Sequence, residues 1–290
     1  MMERIRPAAV AGSFYPASSE RLRKTVEALL AQAQPQTITG RLRGLIVPHA
    51  GYIYSGPVAA TGYKLLKDLT PQPPSLKRKG EPSPPSSGEG PGERSAQKVR
   101  LLLLGPAHYV YFVGAATLDV DAWQTPLGLV ECARDLIVRA LERGDLQSNF
   151  DAHAPEHSLE VQLPFVQTVL PNCEIFPILT GECDSRELAR VLSLYLDAID
   201  FFIVSSDLSH YYPYDEAVQR DALAHRAIEN FDFTLMEDRV EACGKTAILT
   251  LMRIAHEQGW KAKLLDYRNS GDTSGDKFRV VGYGCYAFYE

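Results

Sequence analysis

The chain has 290 residues, a net charge of −6 and a pI near 5.7, with 45% hydrophobic and 23% charged residues. That balance fits one large globular domain with a full core, and the absence of a basic stripe argues against a nucleic-acid partner. The longest apolar runs, Leu101–Leu104 and Phe201–Val204, fall far short of the roughly 20 residues that span a bilayer. The opening MMERIRPAAVAGSFYP has no apolar core of a signal peptide, so a cytoplasmic location with no membrane partner is expected.

Along the chain, strand-like and helix-like blocks alternate. A helix is predicted over Ser19–Gln32, opening on a serine cap. Strand Gly44–Val47 and helix Gly56–Leu69 follow. Next comes Thr70–Gln97, TPQPPSLKRKGEPSPPSSGEGPGERSAQ, which holds a single large apolar residue, Leu76. Such a stretch buries too little surface to offset its ordering entropy, and it reads as a mobile insert spanning 70–97 within a single 1–290 domain. Strands are then predicted at Val99–Gly105, Ala115–Val120, Glu174–Gly181, Phe201–Ser206, Lys261–Tyr267 and Val280–Tyr289. Helices are predicted at Ala133–Glu142, Ser158–Leu170, Ser185–Ala198, Asp215–Asn230 and Cys243–Gln258. Several strands are apolar throughout, as buried central strands are. Strand-helix alternation predicts an α/β fold with a mostly parallel sheet covered by helices on both faces. The last two strands lack a helical block between them, which predicts an antiparallel pair and hence a mixed sheet.

Three strands end alike. GLIV runs into Pro48-His49-Ala50-Gly51, LLLLG into Pro106-Ala107-His108, and FFIVSS into Asp207-Leu208-Ser209-His210. In open α/β sheets, ligands bind in the crevice beyond the carboxyl ends of the strands. One histidine there means little, but three on equivalent loops suggest a shared pocket, and imidazole suits Zn, Fe and Cu. Cys243-Gly244-Lys245-Thr246 opens a helix, where the dipole and Lys245 would favour a thiolate, a soft metal ligand. The five cysteines form no CxxC pair, so neither a disulfide framework nor a zinc ribbon is suggested.

Another segment, Asp151-Ala-His153-Ala-Pro-Glu156-His157-Ser158-Leu-Glu160, leads into a helix with Ser158 as its expected cap. His157 and Glu160, three apart, would face one pocket, either contacting substrate or orienting the other histidines. His225 and His256 sit in helical blocks among charged neighbours and read as surface residues. Phosphate-binding glycine loops and a nucleophile elbow are absent.

Six ordered blocks carry a further signal: RPAAVAGSFYP, VPHAGYIYSGPVAATGY, LLLGPAHY, EHSLEVQLPF, SSDLSHY and CGKTAI. Together, from about Arg6 to Tyr289 without the insert, they resemble the Memo family, whose bacterial and archaeal members are often called AmmeMemoRadiSam system protein B. The resemblance implies a fold similar to the LigB-type class III extradiol dioxygenases, which use non-haem Fe(II). It implies a metal pocket of His49, His108 and Cys243, with Asp207 and His210 carried over from the DLSH motif. Where those dioxygenases have a carboxylate this chain has Cys243, a departure that follows Memo and weighs against ring cleavage. It also implies a functional link with AMMECR-type and radical SAM proteins.

Three functions follow as expectations. The first is an oxidoreductase in which His49, His108 and Cys243 hold Fe(II) or Cu, with Zn as a further option, and His210 acts as general acid/base oriented by Asp207. The second is a binding module for a peptide or small ligand, suggested by Tyr52, Tyr54, Tyr109, Tyr111, Tyr211 and Tyr212 around the histidines, with Tyr54 a substrate contact. The third is zinc-assisted hydrolysis in the same pocket.

Overall fold

The computed structural model describes residues 4–69 and 98–290, so the predicted insert Thr70–Gln97 lies outside the described residues. Twelve strands are described: β1 Ile5–Arg6, β2 Leu42–Val47, β3 Val99–Pro106, β4 Ala115–Thr117, β5 Ala122–Thr125, β6 Gly128–Cys132, β7 Gln147–Ser148, β8 Cys173–Thr180, β9 Phe201–Ser205, β10 His210–Tyr212, β11 Lys261–Asn269 and β12 Val280–Tyr289. The helices are α1 Ser19–Gln32, α2 Tyr52–Leu69, α3 Arg134–Glu142, α4 Phe150–His153, α5 Leu163–Val169, α6 Ser185–Ser193, α7 Tyr214–Glu229, α8 Phe233–Asp238, α9 Lys245–Glu257 and α10 Ser270–Ser274.

One mixed sheet organises them. Its path runs β1-β5-β6-β8-β3-β9-β2-β12-β10, with β11 paired to β12. The centre, β8-β3-β9-β2, is parallel throughout. Its strands are the apolar runs of the sequence, and their side chains are buried on both faces because helices cover both. Gly44 and Leu45 are successive residues of β2 and so face opposite ways. A Cβ on Gly44 would meet Leu251 of α9, whereas Leu45 touches Gly62 of α2. On β12, likewise, Cys285 faces Gly62 of α2 and Tyr286 reaches His225 of α7. Helix α2 therefore lies on one face and α7 and α9 on the other. The mixed, mostly parallel α/β architecture matches the expectation. The antiparallel β11–β12 pair also matches, with the one-turn α10 inside its connection. Among the described residues no helix is long and apolar enough to cross a membrane.

Local departures have local causes. Helix α2 starts at Tyr52 rather than Gly56, tied down by the Tyr52 N–H donating to the Phe14 carbonyl at 2.8 Å. The predicted Ser158–Leu170 helix is instead a 3₁₀ turn, Glu160–Gln162, followed by α5. Ser158 does not cap it, because its hydroxyl donates to the Pro106 carbonyl at 2.8 Å and pins the segment to the end of β3. The β5–β6 hairpin and β1 escaped the sequence reading because strands of two to five residues carry little periodicity.

Candidate metal centre

The register of the parallel strands builds the crevice. Val47 of β2 stands beside Ser205 of β9, and Leu104 of β3 beside Val204. The three strands therefore end nearly level, and the residues just past those ends, His49, His108 and Ser206–Asp207, emerge side by side. Cysteine 243 arrives from the opposite direction, just ahead of α9. Gly244 makes that approach possible, since a Cβ there would stand 2.7 Å from the Ser205 carbonyl oxygen and 2.8 Å from the Ser206 Cβ.

His49, His108 and Cys243 each offer one ligand atom, and these atoms lie within 4.8 Å of one another. The His49 Nε2 is 3.3 Å from the Cys243 Sγ, close to the ligand-to-ligand distance of roughly 3.3–3.8 Å around a tetrahedral ion with bonds near 2.0–2.3 Å. The rings of His49 and His108 are 5.1 Å apart in an edge-on arrangement. Two imidazoles and one sulfur form a donor set suited to Fe(II), Cu or Zn and poorly suited to Mg or Ca. The residues present thus fit a transition metal.

Each donor has its own support. His49 is buried; its Nδ1 lies 2.9 Å from the Ser205 hydroxyl, and its backbone N–H donates to Asp207 Oδ1 at 2.8 Å. Burial pushes the His49 pKa well below the usual imidazole value, and neighbouring His108 and His157 push the same way, so the ring is neutral and able to coordinate. Cys243 Sγ accepts the Asp207 backbone N–H at 3.2 Å. Burial and then the Asp207 charge push its thiol up to about 12. In the metal-free protein burial thus works against the expected thiolate, and Lys245 does not add to it, since its Nζ turns away to the Glu237 carbonyl.

Glu156 is the residue that sequence reasoning undervalued. Its carboxylate accepts the backbone N–H groups of His108, His157 and Ser158 at 2.5, 2.9 and 2.9 Å, and sits 2.9 Å from His108 Nδ1. Burial alone would raise its pKa, but the bonds from His108 and His157 win and hold it well below the usual carboxylate range. His108, Glu156 and His157 also form a cluster of metal-ligating types. Three of the four donors lie on Oε1 and one on Oε2, so the carboxylate is tied to the His108 and His157 segments and orients the His108 ring. Its adjacency to His157 in the EHSLE block was the available signal.

The other expected site residues are distributed unevenly. His157 lines the crevice, its ring 4.7 Å from that of His108 and 4.5 Å from that of Phe14. His210 is partly exposed; its backbone N–H donates to Glu241 at 3.1 Å and its Nδ1 lies 4.0 Å from the same carboxylate. Asp207 is buried and bonds to the His49 backbone; burial raises its pKa against that bond and the field of His210. Glu160 is not brought to the crevice. It is fully buried, paired with Arg6 at 2.5 Å, and accepts from Tyr15 and the N–H groups of Ala9 and Val10 at 2.6–2.9 Å. Those partners, all from the first fifteen residues of the chain, hold it inward, which corrects its expected contact with substrate.

Of the expected tyrosines, Tyr52 is buried with its hydroxyl on the Val161 carbonyl, so it is a core residue. Tyr54, Tyr109, Tyr111 and Tyr211 are 37%, 56%, 77% and 61% exposed, and Tyr212 lies under the Arg220 guanidinium. His256 is exposed as expected, whereas His225 is half-buried: it packs on Tyr267 and pairs with the Tyr286 hydroxyl at 2.7 Å.

Known proteins match the chain over nearly its whole length. The family model for Memo-like proteins matches residues 6–73 and 93–287. A MEMO1 family protein of Ignicoccus hospitalis is 34% identical over 307 residues, covering 98% of each chain. Relatives carrying the same family name in Methanopyrus kandleri and Aquifex aeolicus are each 33% identical, covering 98% and 97% of both chains respectively. Matches of that extent, on a chain whose strand ends gather two histidines and a cysteine, show that this protein belongs to the Memo family.

Proposed function

We propose that the crevice holds a divalent transition metal, Fe(II) or Cu in preference to Zn, on His49, His108 and Cys243, and serves an oxidoreductase reaction. One observation carries the reading: two imidazoles and a thiol from three separate loops converge, with Nε2 and Sγ 3.3 Å apart. A metal bound there would supply Lewis acidity and one-electron chemistry to a substrate in the crevice. The remaining chemistry belongs to the chain itself. His210, partly exposed and facing Glu241, would exchange a proton with substrate and solvent, with the buried Asp207 nearby in the DLSH loop. His157, stacked between His108 and Phe14, and Tyr54 at the start of α2 would contact the substrate.

Elemental analysis of anaerobically purified protein tests the reading. About one equivalent of transition metal is expected in the wild type and little in His49→Ala. No metal in the wild type, or equal metal in the variant, overturns it.

A second reading, a binding module for a peptide or small ligand, is favoured by the exposure of Tyr109, Tyr111 and Tyr211. Oxygen consumption with a catechol panel that His210→Ala abolishes would remove its support. The functional link to AMMECR-type and radical SAM proteins belongs to this same proposal and rests on family membership alone.

A further inference from the structure

A neutral imidazole carries its proton on one nitrogen only, and His49 can bind a metal through Nε2 only if the proton sits on Nδ1. What decides that lies behind the ring. The Ser205 hydroxyl oxygen is 2.6 Å from the Ser158 carbonyl oxygen, 2.8 Å from Gln162 Nε2 and 2.9 Å from His49 Nδ1. A serine hydroxyl has one proton to give. The Ser158 carbonyl can only accept, so at 2.6 Å it takes that proton; otherwise two bare oxygen lone pairs would face each other.

The orientation of the Gln162 amide follows from its other neighbours. Its Nε2 is also 3.0 Å from the Pro48 carbonyl oxygen, and its Oε1 accepts the Tyr63 hydroxyl at 2.9 Å. A flipped amide would set oxygen against oxygen at Pro48. Gln162 therefore donates to Ser205, and the remaining Ser205 lone pair faces His49 Nδ1, which must donate. Tyr63, Ser158 and Ser205 are 0% exposed and Gln162 is 1% exposed, so water does not stand in for any member of the chain.

We infer that Ser205, held in place by the Ser158 carbonyl and the Gln162–Tyr63 pair, is a positioning residue that locks His49 in its Nδ1–H tautomer. It thereby turns the Nε2 lone pair toward Cys243 and the space shared with His108. This inference deepens the metal reading and rests on it for its purpose, but the tautomer exists without any metal. Outer partners of this kind typically change metal affinity by 10–100-fold when removed.

The test uses metal-free, histidine-labelled protein and long-range ¹⁵N–¹H correlation spectra, followed by titration with Co(II). In the wild type, His49 is expected to show a protonated Nδ1 and a bare Nε2. In Ser205→Ala the population should move toward Nε2–H and Co(II) affinity should fall 10–100-fold, while Ser205→Thr, which keeps the hydroxyl, restores both. Should Ser205→Ala fail to fold, Ser205→Cys keeps the volume with a poor acceptor and reads the same quantities. A wild-type His49 protonated on Nε2, or a Ser205→Ala protein with unchanged tautomer and affinity, overturns the inference. Wild-type protein that takes up no Co(II) yet shows the Nδ1–H signal that Ser205→Ala loses would overturn the metal reading alone.

Discussion

Two buried polar clusters stand a few residues apart in this protein, one around Arg6 and Glu160 and one around His49 and Cys243. In the first, the two charged groups are answered from within. Arg6 donates to Glu160 and to the carbonyls of His153 and Glu156, and lies over the Trp123 ring at 4.1 Å; Glu160 accepts two further N–H groups and a hydroxyl. In the second, the backs of the rings are answered by Ser205 and Glu156 while the fronts, two imidazole edges and a sulfur, turn to one another. A cluster that closes on itself holds the fold; a cluster that leaves matched donors facing a common space is a candidate binding site. Composition does not separate the two, since both draw on histidine-rich, acidic, strand-end segments.

The contrast can be broken from the structural side first. Arg6→Met should strand the Glu160 carboxylate in the core and cost about 3–5 kcal/mol in urea denaturation of metal-free protein. A cost under about 1 kcal/mol would mean that the cluster is not the anchor described. Because Arg6 also holds the 153–156 segment by its carbonyls, the same variant should loosen Glu156 and with it His108.

Glu156→Gln probes the join between the clusters. The amide would set N–H groups against the donors of His108, so metal affinity should fall by 10–100-fold with stoichiometry retained. Isothermal titration with Co(II) measures it, and unchanged affinity would place His108 outside the centre.

The smallest effect concerns His225, away from both. Burial lowers its pKa to about 4, below the usual value near 6.5. The folded state thus binds fewer protons than the unfolded one. The stability it contributes is full above pH 6.5 and is lost as pH falls from there toward 4. Allowing for its partial exposure, wild type should lose about 1 kcal/mol more than His225→Gln between pH 7 and pH 5. Parallel slopes for the two proteins in denaturation at both pH values would show that His225 is not buried as described.

The parts of this architecture that were legible in the sequence were those written locally. Apolar runs marked the central strands, and a histidine after three of them marked the crevice, because strand ends and their loops are contiguous in the chain. Partners distant in sequence were not legible. His157 and Glu160, three apart, suggested one shared pocket, but the regular helix begins only at Leu163, and the attraction that settles Glu160 comes from Arg6, 154 residues away. The setting of Cys243 was only partly legible for a related reason, since a helix start is visible in sequence and the burial that works against a thiolate there is not.

The sheet itself also acts as a ruler. β2 and β3 flank β9, so their backbones stand about 9.6 Å apart at two strand spacings of roughly 4.8 Å. The ring centroids of His49 and His108 nevertheless come within 5.1 Å of each other, past the small residue Ser205 that ends the strand between them. Only a long side chain bridges such a gap from both banks. Aspartate or cysteine in place of either histidine would reach less far across it. The cysteine is admitted where no gap exists, on a segment that Gly244 lets press directly against the end of β9. Which donor stands at which place in this crevice is thus a matter of reach, set by the hydrogen-bond spacing of the sheet.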